Sequence, residues 1–302
     1  MPLERIIATT DFTDVSNHAV EVCARLAAES SASVTLLHAY DPVPLGPAVT
    51  YPATIWAGDD FALQMKTEAE RLLENIRQTR LPDVDAEVAA IAAQNTSYGI
   101  CDYAENHHAD LVVVGTHGRT GVAHLMMGSV AERVVRHAPC SVLVVRSAAE
   151  VATFPRHILV ATDFSDLSKC ALRDAARLGR AFDAKITVLH VFRESPDSLP
   201  GNMVGYLSLA DVEGQLRGAL DAIHKEHFEG RGGVDLVMST APALAIARYA
   251  QRHEVDLIVM GTHGRTGLRR MLIGSIAEKT TRIAPCAVWT SRPRTRGAEG
   301  TS

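Results

Sequence analysis

Gly115-Thr116-His117-Gly118-Arg119-Thr120-Gly121, continued from position 128 by Gly128-Ser129-Val130-Ala131-Glu132, has a second copy in the same chain. That copy reads Gly261-Thr262-His263-Gly264-Arg265-Thr266-Gly267, continued by Gly274-Ser275-Ile276-Ala277-Glu278. Over the 20 residues from Gly115, eleven recur at a constant offset of 146. Each copy follows a short apolar run (Leu111 to Val114; Leu257 to Met260) and precedes a segment of helical periodicity. A strand, a glycine-rich loop and a helix start form the setting in which backbone N–H groups collect around a phosphate. Gly115 and Gly261 let the backbone turn and a ligand approach without a Cβ in the way. Gly128-Ser129-Val130 and Gly274-Ser275-Ile276 sit where free N–H groups and the helix dipole favour an anion. For one isolated copy, a glycine-relieved turn with Ser129 as the helix N-cap explains the pattern equally well. Duplication at identical spacing, beside an aspartate at the neighbouring strand end, favours a nucleotide bound in each half. The loop is neither a G-x-x-x-x-G-K-[ST] P-loop nor a G-x-G-x-x-G dinucleotide fingerprint.

Outward from the loops, the chain divides in two. At 302 residues it has room for two domains of about 150 each, and the repeat makes them concrete, 1–147 and 155–292, with a tail over 293–302. Hydrophobic content of 47% and charged content of 22% are those of an ordinary globular protein. A net charge of −5 gives no global pull toward nucleic acid or an anionic membrane, so any anion site must be local. Five cysteines (Cys23, Cys101, Cys140, Cys170, Cys286) show no CxxC spacing and read as buried thiols in a reducing compartment. No apolar run approaches ~18 residues and no charged-then-apolar leader opens the chain, so a cytoplasmic location is expected.

In the first half, Leu3 to Thr9, Ser33 to Tyr40, Val84 to Ile91, Asp110 to Val114 and Ser141 to Val145 read as strands. Helices are expected after Asp14 or Ser16 as cap, over Phe61 to Arg80, Tyr98 to His107 and Ser129 to His137. The proline-rich stretch Asp41 to Trp56 reads as a surface loop. Arg146 to Pro155 is the linker. The second half repeats the order: strands over His157 to Ala161, Lys185 to Val191, Val234 to Met238, Asp256 to Met260 and Ala287 to Thr290, with helices over Leu207 to Phe228 and Ala243 to His253. Near-continuous apolar strands alternating with helices predict, in each half, a doubly wound five-stranded parallel sheet covered on both faces. A ligand would then sit at the carboxyl ends of the strands, where Asp11 and Gly115 meet.

Asp11 and Asp163 end the first strand of each half in the same Thr-Asp-Phe-[Ser/Thr]-Asp context. Such a carboxylate can accept from a ribose hydroxyl, hold a phosphate-bound Mg²⁺, or bond its own turn backbone. Asp14 and Asp166 read as helix caps. Arg119 and Arg265 are either phosphate ligands or solvated loop charges. His38, His190, His107 and His253 recur between the halves without zinc-ligand spacing and read as structural.

At these residues the chain resembles the ATP-binding branch of the universal stress protein superfamily. Gly115, Gly118, Gly128 and Ser129 fit that branch's G-x2-G-x9-G-[ST], as do Gly261, Gly264, Gly274 and Ser275. Thr-Asp-Phe-Ser after strand one, Leu-His-Val after strand two and Ala-Pro-Cys-x-Val before strand five extend the likeness over both halves, as in a tandem member. The resemblance implies strand order 3-2-1-4-5 and an ATP, with Mg²⁺ or Mn²⁺, in each half. It implies backbone groups of Ala39 and Val191 at adenine, Asp11 and Asp163 at ribose or metal, and the glycine loops at the phosphates. The implied set is Thr10, Asp11, Ala39, Val114, Gly115, His117, Gly118, Gly128, Ser129 and Val130, with Thr162, Asp163, Val191, Met260, Gly261, His263, Gly264, Gly274, Ser275 and Ile276. It also implies that the fifth strands pair, here across the two halves, with a homodimer of the whole chain and a protein partner of unknown identity as further expectations. Gln94 and Thr240 stand where many members have glycine, and Thr9 and Ala161 where proline is frequent.

The function expected is a nucleotide-dependent stress-response switch or sensor with at most slow ATP hydrolysis, because a phosphate cradle is present without an obvious base. A nucleotide-independent scaffold and an ATP-using enzyme of a related fold are the alternatives.

Overall fold

The structure, a computed structural model, describes residues 3–42, 59–116, 127–146, 151–193, 209–228, 230–262 and 273–293. The first half runs β1 (Arg5–Thr9), α1 (Asp14–Ser30), β2 (Ser33–Tyr40), α2 (Asp59–Arg80), β3 (Ala86–Ala92), α3 (Thr96–Asn106), β4 (Leu111–Gly115), α4 (Ser129–His137), β5 (Ser141–Val145). The second runs β6 (His157–Ala161), α5 (Ser168–Phe182), β7 (Lys185–Phe192), α6 (Leu209–Phe228), β8 (Gly232–Met238), α7 (Pro242–Arg252), β9 (Leu257–Gly261), α8 (Ser275–Ile283), β10 (Ala287–Ser291).

All ten strands form one sheet in the order β3-β2-β1-β4-β5-β10-β9-β6-β7-β8. Within each half every pairing is parallel and the order is 3-2-1-4-5, as expected. The halves meet in an antiparallel pair, Val144 opposite Val288 and Val142 opposite Thr290. Every residue of β5 and β10 is buried. Successive strand residues point to opposite faces, so Ile6 and Ala8 join one core with Leu26, Leu73, Leu172 and Leu220 of α1, α2, α5 and α6. Ile7 joins the other, with Ile100, Val134, Ile246 and Ala277 of α3, α4, α7 and α8.

Side chains fasten the strand starts. The Asp110 carboxylate lies just outside β4 and accepts from Glu4 N (2.7 Å) and Arg5 N (3.0 Å); Asp256 does the same for Arg156 N and His157 N (2.9 Å each). The segment read as a linker is partly core: Phe154 is buried and its carbonyl accepts from Arg25 Nε at 2.6 Å. All five cysteines are free thiols, and burial pushes Cys23 and Cys286 up to about 12 and Cys101 to about 11.

The halves exchange contacts along the junction. Arg146, directly after β5, donates to the Thr281 and Arg282 carbonyls at the end of α8 (2.9 Å each). Arg292, directly after β10, donates to the Val135 and Arg136 carbonyls at the end of α4 (3.1 and 2.6 Å). Beside them Arg136 meets Glu278 at 3.0 Å and Arg282 meets Glu132 at 2.9 Å. These ion pairs are partly exposed and worth about 0.2–1 kcal/mol each. Charge-assisted bonds to otherwise unpaired helix carbonyls are worth about 1.5–3 kcal/mol. The guanidinium Nε of Arg146 and of Arg292 is buried without a hydrogen-bond partner among the described residues, which discounts that gain. The arginine caps still outweigh the pairs.

Several boundaries differ from expectation. Thr13, rather than Asp14 or Ser16, caps α1, its hydroxyl accepting from Ser16 N. Asp166 does not cap α5: Ser165 Oγ accepts from Ser168 N, and Asp166 pairs with Lys169 at 2.7 Å. The hydroxyls lie one position nearer the strand than the carboxylates, at the place whose geometry reaches the helix N–H. β3 starts at Ala86 rather than Val84, and β8 at Gly232 rather than Val234, because strand pairing with β2 and β7 sets their ends.

Arg146→Ala and Arg292→Ala should each lower unfolding free energy by about 1–3 kcal/mol, whereas Glu132→Gln should cost under about 1 kcal/mol. Urea midpoints that rank Glu132 above the arginines would refute the ordering. A pH effect follows from His157, whose Nδ1 donates to the His253 carbonyl (3.1 Å) and whose Nε2 meets Thr187 Oγ1 (2.9 Å). Burial pulls its pKa below 6.5, reinforced by Lys185 and opposed by the His253 carbonyl and Asp256. The unfolded chain therefore binds the proton first, and stability must fall as pH drops below about 6.5 and level off once the folded state also protonates. His157→Gln should flatten that limb of the stability–pH curve.

Candidate nucleotide site

The sheet order brings the C-terminal ends of β1, β2 and β4 side by side in the first half and those of β6, β7 and β9 in the second. Ala8 is opposite Val113 and Thr9 opposite Leu37, so Thr10-Asp11 leaves the sheet between Gly115 and Ala39. Thr10 N donates to the Leu37 carbonyl at 3.0 Å and Thr162 N to that of Leu189 at the same distance. These turns are built from one set of bonds. Phe12 N donates to Thr10 Oγ1 (3.0 Å), and Thr10 Oγ1 meets Ser16 Oγ (2.9 Å). Phe164, Thr162 and Ser168 repeat this at 3.1 and 3.0 Å. Phe12 and Phe164 carry φ of 69° and 64°. A bulky residue held left-handed costs on the order of 1–3 kcal/mol, which the surrounding bonds must offset.

The strand-end aspartates also bond their own turn, one of the alternatives open from the sequence. Asp11 Oδ1 accepts from Thr13 Oγ1 (2.6 Å) and Thr13 N (3.2 Å); Asp163 Oδ1 accepts from Ser165 Oγ (2.6 Å) and Ser165 N (3.1 Å).

Across the edge stand the glycine segments. Gly128 N donates to the Thr116 carbonyl and Gly274 N to the Thr262 carbonyl, both at 2.5 Å, while Thr116 and Thr262 are buried. Gly128 and Gly274 are the N-caps of α4 and α8, with φ/ψ of −64°/149° and −65°/145°, and neither helix has a side-chain cap bond. Ser129 is thus the first helical residue and not the cap. The first N–H groups of a helix have no partner within it, and here no side chain of the cap residue covers them. Val130 and Ile276, in that first turn, are exposed by 38% and 42%.

Thr10, Ala39, Val114, Thr162 and Met260 are buried around these edges, and Val191 is half-buried. His117, Gly118, His263 and Gly264, with Arg119 and Arg265, lie outside the described residues. The glycines at the strand ends have a second use. A Cβ on Gly115 would stand 3.3 Å from Ser16 Cα and N, and one on Gly261 would stand 3.1 Å from the Leu167 carbonyl oxygen. A side chain at either position would press on the backbone at the start of α1 or α5.

Sequence reading passed over His38 and His190 as structural. Their Nδ1 atoms lie 2.7 Å from the Thr10 and Thr162 carbonyl oxygens, directly under the two turns. The available signal was their recurrence one residue before Ala39 and Val191. His107 and His253, by contrast, stack on Tyr103 and Tyr249 at the far ends of α3 and α7. Among the described residues no group of three or more His, Cys, Asp or Glu side chains is arranged to hold a metal ion. No helix among them is long and apolar enough to cross a membrane.

Against known proteins, the model of the universal stress protein family matches residues 2–146 and again 155–292. A universal stress protein of Methanocaldococcus jannaschii is 37% identical over 139 residues, covering 44% of this chain and 79% of that protein. One from Mycobacterium tuberculosis is 26% identical over 278 residues, covering 88% of this chain and 89% of its own. Among solved structures, a universal stress protein from Archaeoglobus fulgidus superposes with a TM-score of 0.69 at 20% identity, over 95% of this chain and 96% of that one.

Gly261→Ala should destabilise the chain by about 1–3 kcal/mol, as overpacking against fixed backbone does. Gly115→Ala should cost less, since its nearest contact is 3.3 Å rather than 3.1 Å. Urea denaturation of the two variants would contradict the packing account if Gly261→Ala proved neutral.

Proposed function

The chain belongs to the universal stress protein family, and from that premise we propose that it binds one ATP in each half and serves as a nucleotide-dependent switch or sensor in the cytoplasm. The observation that carries this reading is the duplicated edge, where a helix start without a side-chain cap (Gly128-Ser129; Gly274-Ser275) faces a strand end bearing a carboxylate (Asp11; Asp163). In this reading the open N–H groups of α4 and α8 take phosphate oxygens, helped by the Ser129 and Ser275 hydroxyls. The backbone at Ala39 and Val191 meets the adenine, and Val114, Met260, Val130 and Ile276 line the apolar walls. His117, Gly118, His263 and Gly264 belong to the phosphate loops.

Mg²⁺ or Mn²⁺ fits only as a companion of the nucleotide. Among the described residues each site offers one strand-end carboxylate with one oxygen already engaged by its turn, so a cation there would draw its other ligands from phosphates and water, as Mg²⁺ does in most nucleotide sites. The proposed role is holding rather than consuming ATP. Transfer of a phosphoryl group needs a positioned nucleophile as well as charge neutralisation, and one oxygen of each strand-end carboxylate is already engaged by its turn.

Purified protein should carry, or take up, two adenine nucleotides per chain in the presence of Mg²⁺, read by acid extraction and equilibrium dialysis. Gly128→Asp should remove one and the pair Gly128→Asp/Gly274→Asp both, each by about 100-fold or more in Kd, since a carboxylate replaces the space and sign a phosphate requires. Wild type that binds no adenine nucleotide would leave the nucleotide-independent scaffold in its place. Turnover well above about 1 s⁻¹ would point to an enzyme.

A further inference from the structure

A left-handed residue follows each first strand at the candidate sites, and both copies have one buried imidazole beneath them. His38 Nδ1 lies 2.7 Å from the Thr10 carbonyl oxygen and His190 Nδ1 lies 2.7 Å from that of Thr162. A carbonyl oxygen only accepts, so Nδ1 carries the proton in both rings. Each ring also lies against the aromatic side chain of the left-handed residue, with Phe12 and His38 centroids 4.4 Å apart and Phe164 and His190 4.6 Å apart. One imidazole therefore grips the turn twice: by a hydrogen bond to the residue before the aspartate and by ring contact with the residue after it. Asp11 and Asp163 stand between these two grips.

We propose that His38 and His190 are positioning residues of the two nucleotide sites, holding the turn so that the strand-end carboxylate keeps a fixed direction at the edge. The proposal rests on the nucleotide reading for its purpose and on the bonds above for its geometry. A strained, over-determined turn at a ligand edge is where positional demand is expected, and its repetition with different flanking residues (Thr13 against Ser165, Tyr40 against Phe192) shows that the grip is independent of them. In a purely packing role, a buried apolar side chain would serve beneath Phe12 as well as an imidazole. The Nδ1 bond is what an apolar side chain lacks.

Asparagine and glutamine separate these roles, because the asparagine amide reaches the place of Nδ1 and the glutamine amide the place of Nε2. The full chain would be prepared as His38→Gln/His190→Gln and as His38→Asn/His190→Asn. Three quantities would be read: amide hydrogen exchange at Phe12 and Phe164, Kd for ATP with Mg²⁺, and the melting temperature. In the glutamine pair, exchange at the two turns should accelerate and Kd rise by about tenfold each, without loss of protection in the strands. The asparagine pair should stay close to wild type in both. Binding unchanged in the glutamine pair, equal losses in both pairs, or losses that follow a general drop in melting temperature would overturn the proposal. If wild type bound no nucleotide, the preceding reading would fall by itself. Local exchange at the turns, faster with glutamine and not with asparagine, would still uphold the positioning role, and its absence would remove it.

Discussion

Antiparallel pairing of β5 with β10 is the constraint from which the architecture follows. Each half ends its sheet in a strand that is apolar on both faces, and such an edge left open invites association with another chain. Joining the two edges satisfies both inside one molecule and buries every residue of either strand. It also fixes the relation between the halves. Strands of the first half run one way across the continuous sheet and those of the second run the other, so the two C-terminal edges lie at opposite ends of it. The two candidate sites are held apart by the sheet and cannot merge into one.

The same pairing ties each site to the other half. α4 and α8 lie together on one face and run in opposite directions, each with its N-terminus at its own strand edge. Their C-termini end beside the other half's last strand, where Arg146 and Arg292 take the final carbonyls. Cations at helix C-termini complement the macrodipole, as an anion would at the N-termini. Thr116 N, one residue past Gly115, is held by the Val145 carbonyl, and the next residue is Arg146. A backbone path of three residues thus runs from one half's edge to the end of the other half's helix.

Much of this was legible in the sequence. Near-continuous apolar strands alternating with helices give a parallel sheet, and the duplicated glycine stretches give two halves and two edges. Both rest on local patterns. What escaped depended on partners distant in sequence. Arg146 read as the start of the linker and Arg292 as the last residue before the tail, because nothing local shows that they reach helices 135 and 157 residues away. Thr13 rather than Asp14 caps α1, and Ser165 rather than Asp166 accepts from Ser168 N, a difference of one position that periodicity does not resolve. Gly115 and Gly261 read as room for a ligand, whereas the helix start against which each packs is equally decisive. His38 and His190 were visible as a repeat, yet only the fold shows that their rings lie beneath the Thr10 and Thr162 carbonyls.

Under the proposed binding role, the strained turn supplies preorganisation. Phe12 and Phe164 occupy a conformation that glycine would adopt without strain, yet both halves use phenylalanine. Glycine would free the turn, and the aspartate beside it would then sample many directions, each charging its ordering entropy to the ligand. Phenylalanine accepts backbone strain in return for a ring that packs against a buried imidazole. The strain is met during folding by the Thr10–Ser16 and Thr162–Ser168 hydroxyl pairs and the bonds from His38 and His190. A carboxylate ordered in advance leaves less to be ordered on binding, and the first N–H groups of α4 and α8, held by their helices, are equally fixed before any anion arrives. Rigidity of that kind raises affinity for a ground-state ligand. It does not by itself lower a barrier, since catalysis needs interactions that strengthen in the transition state.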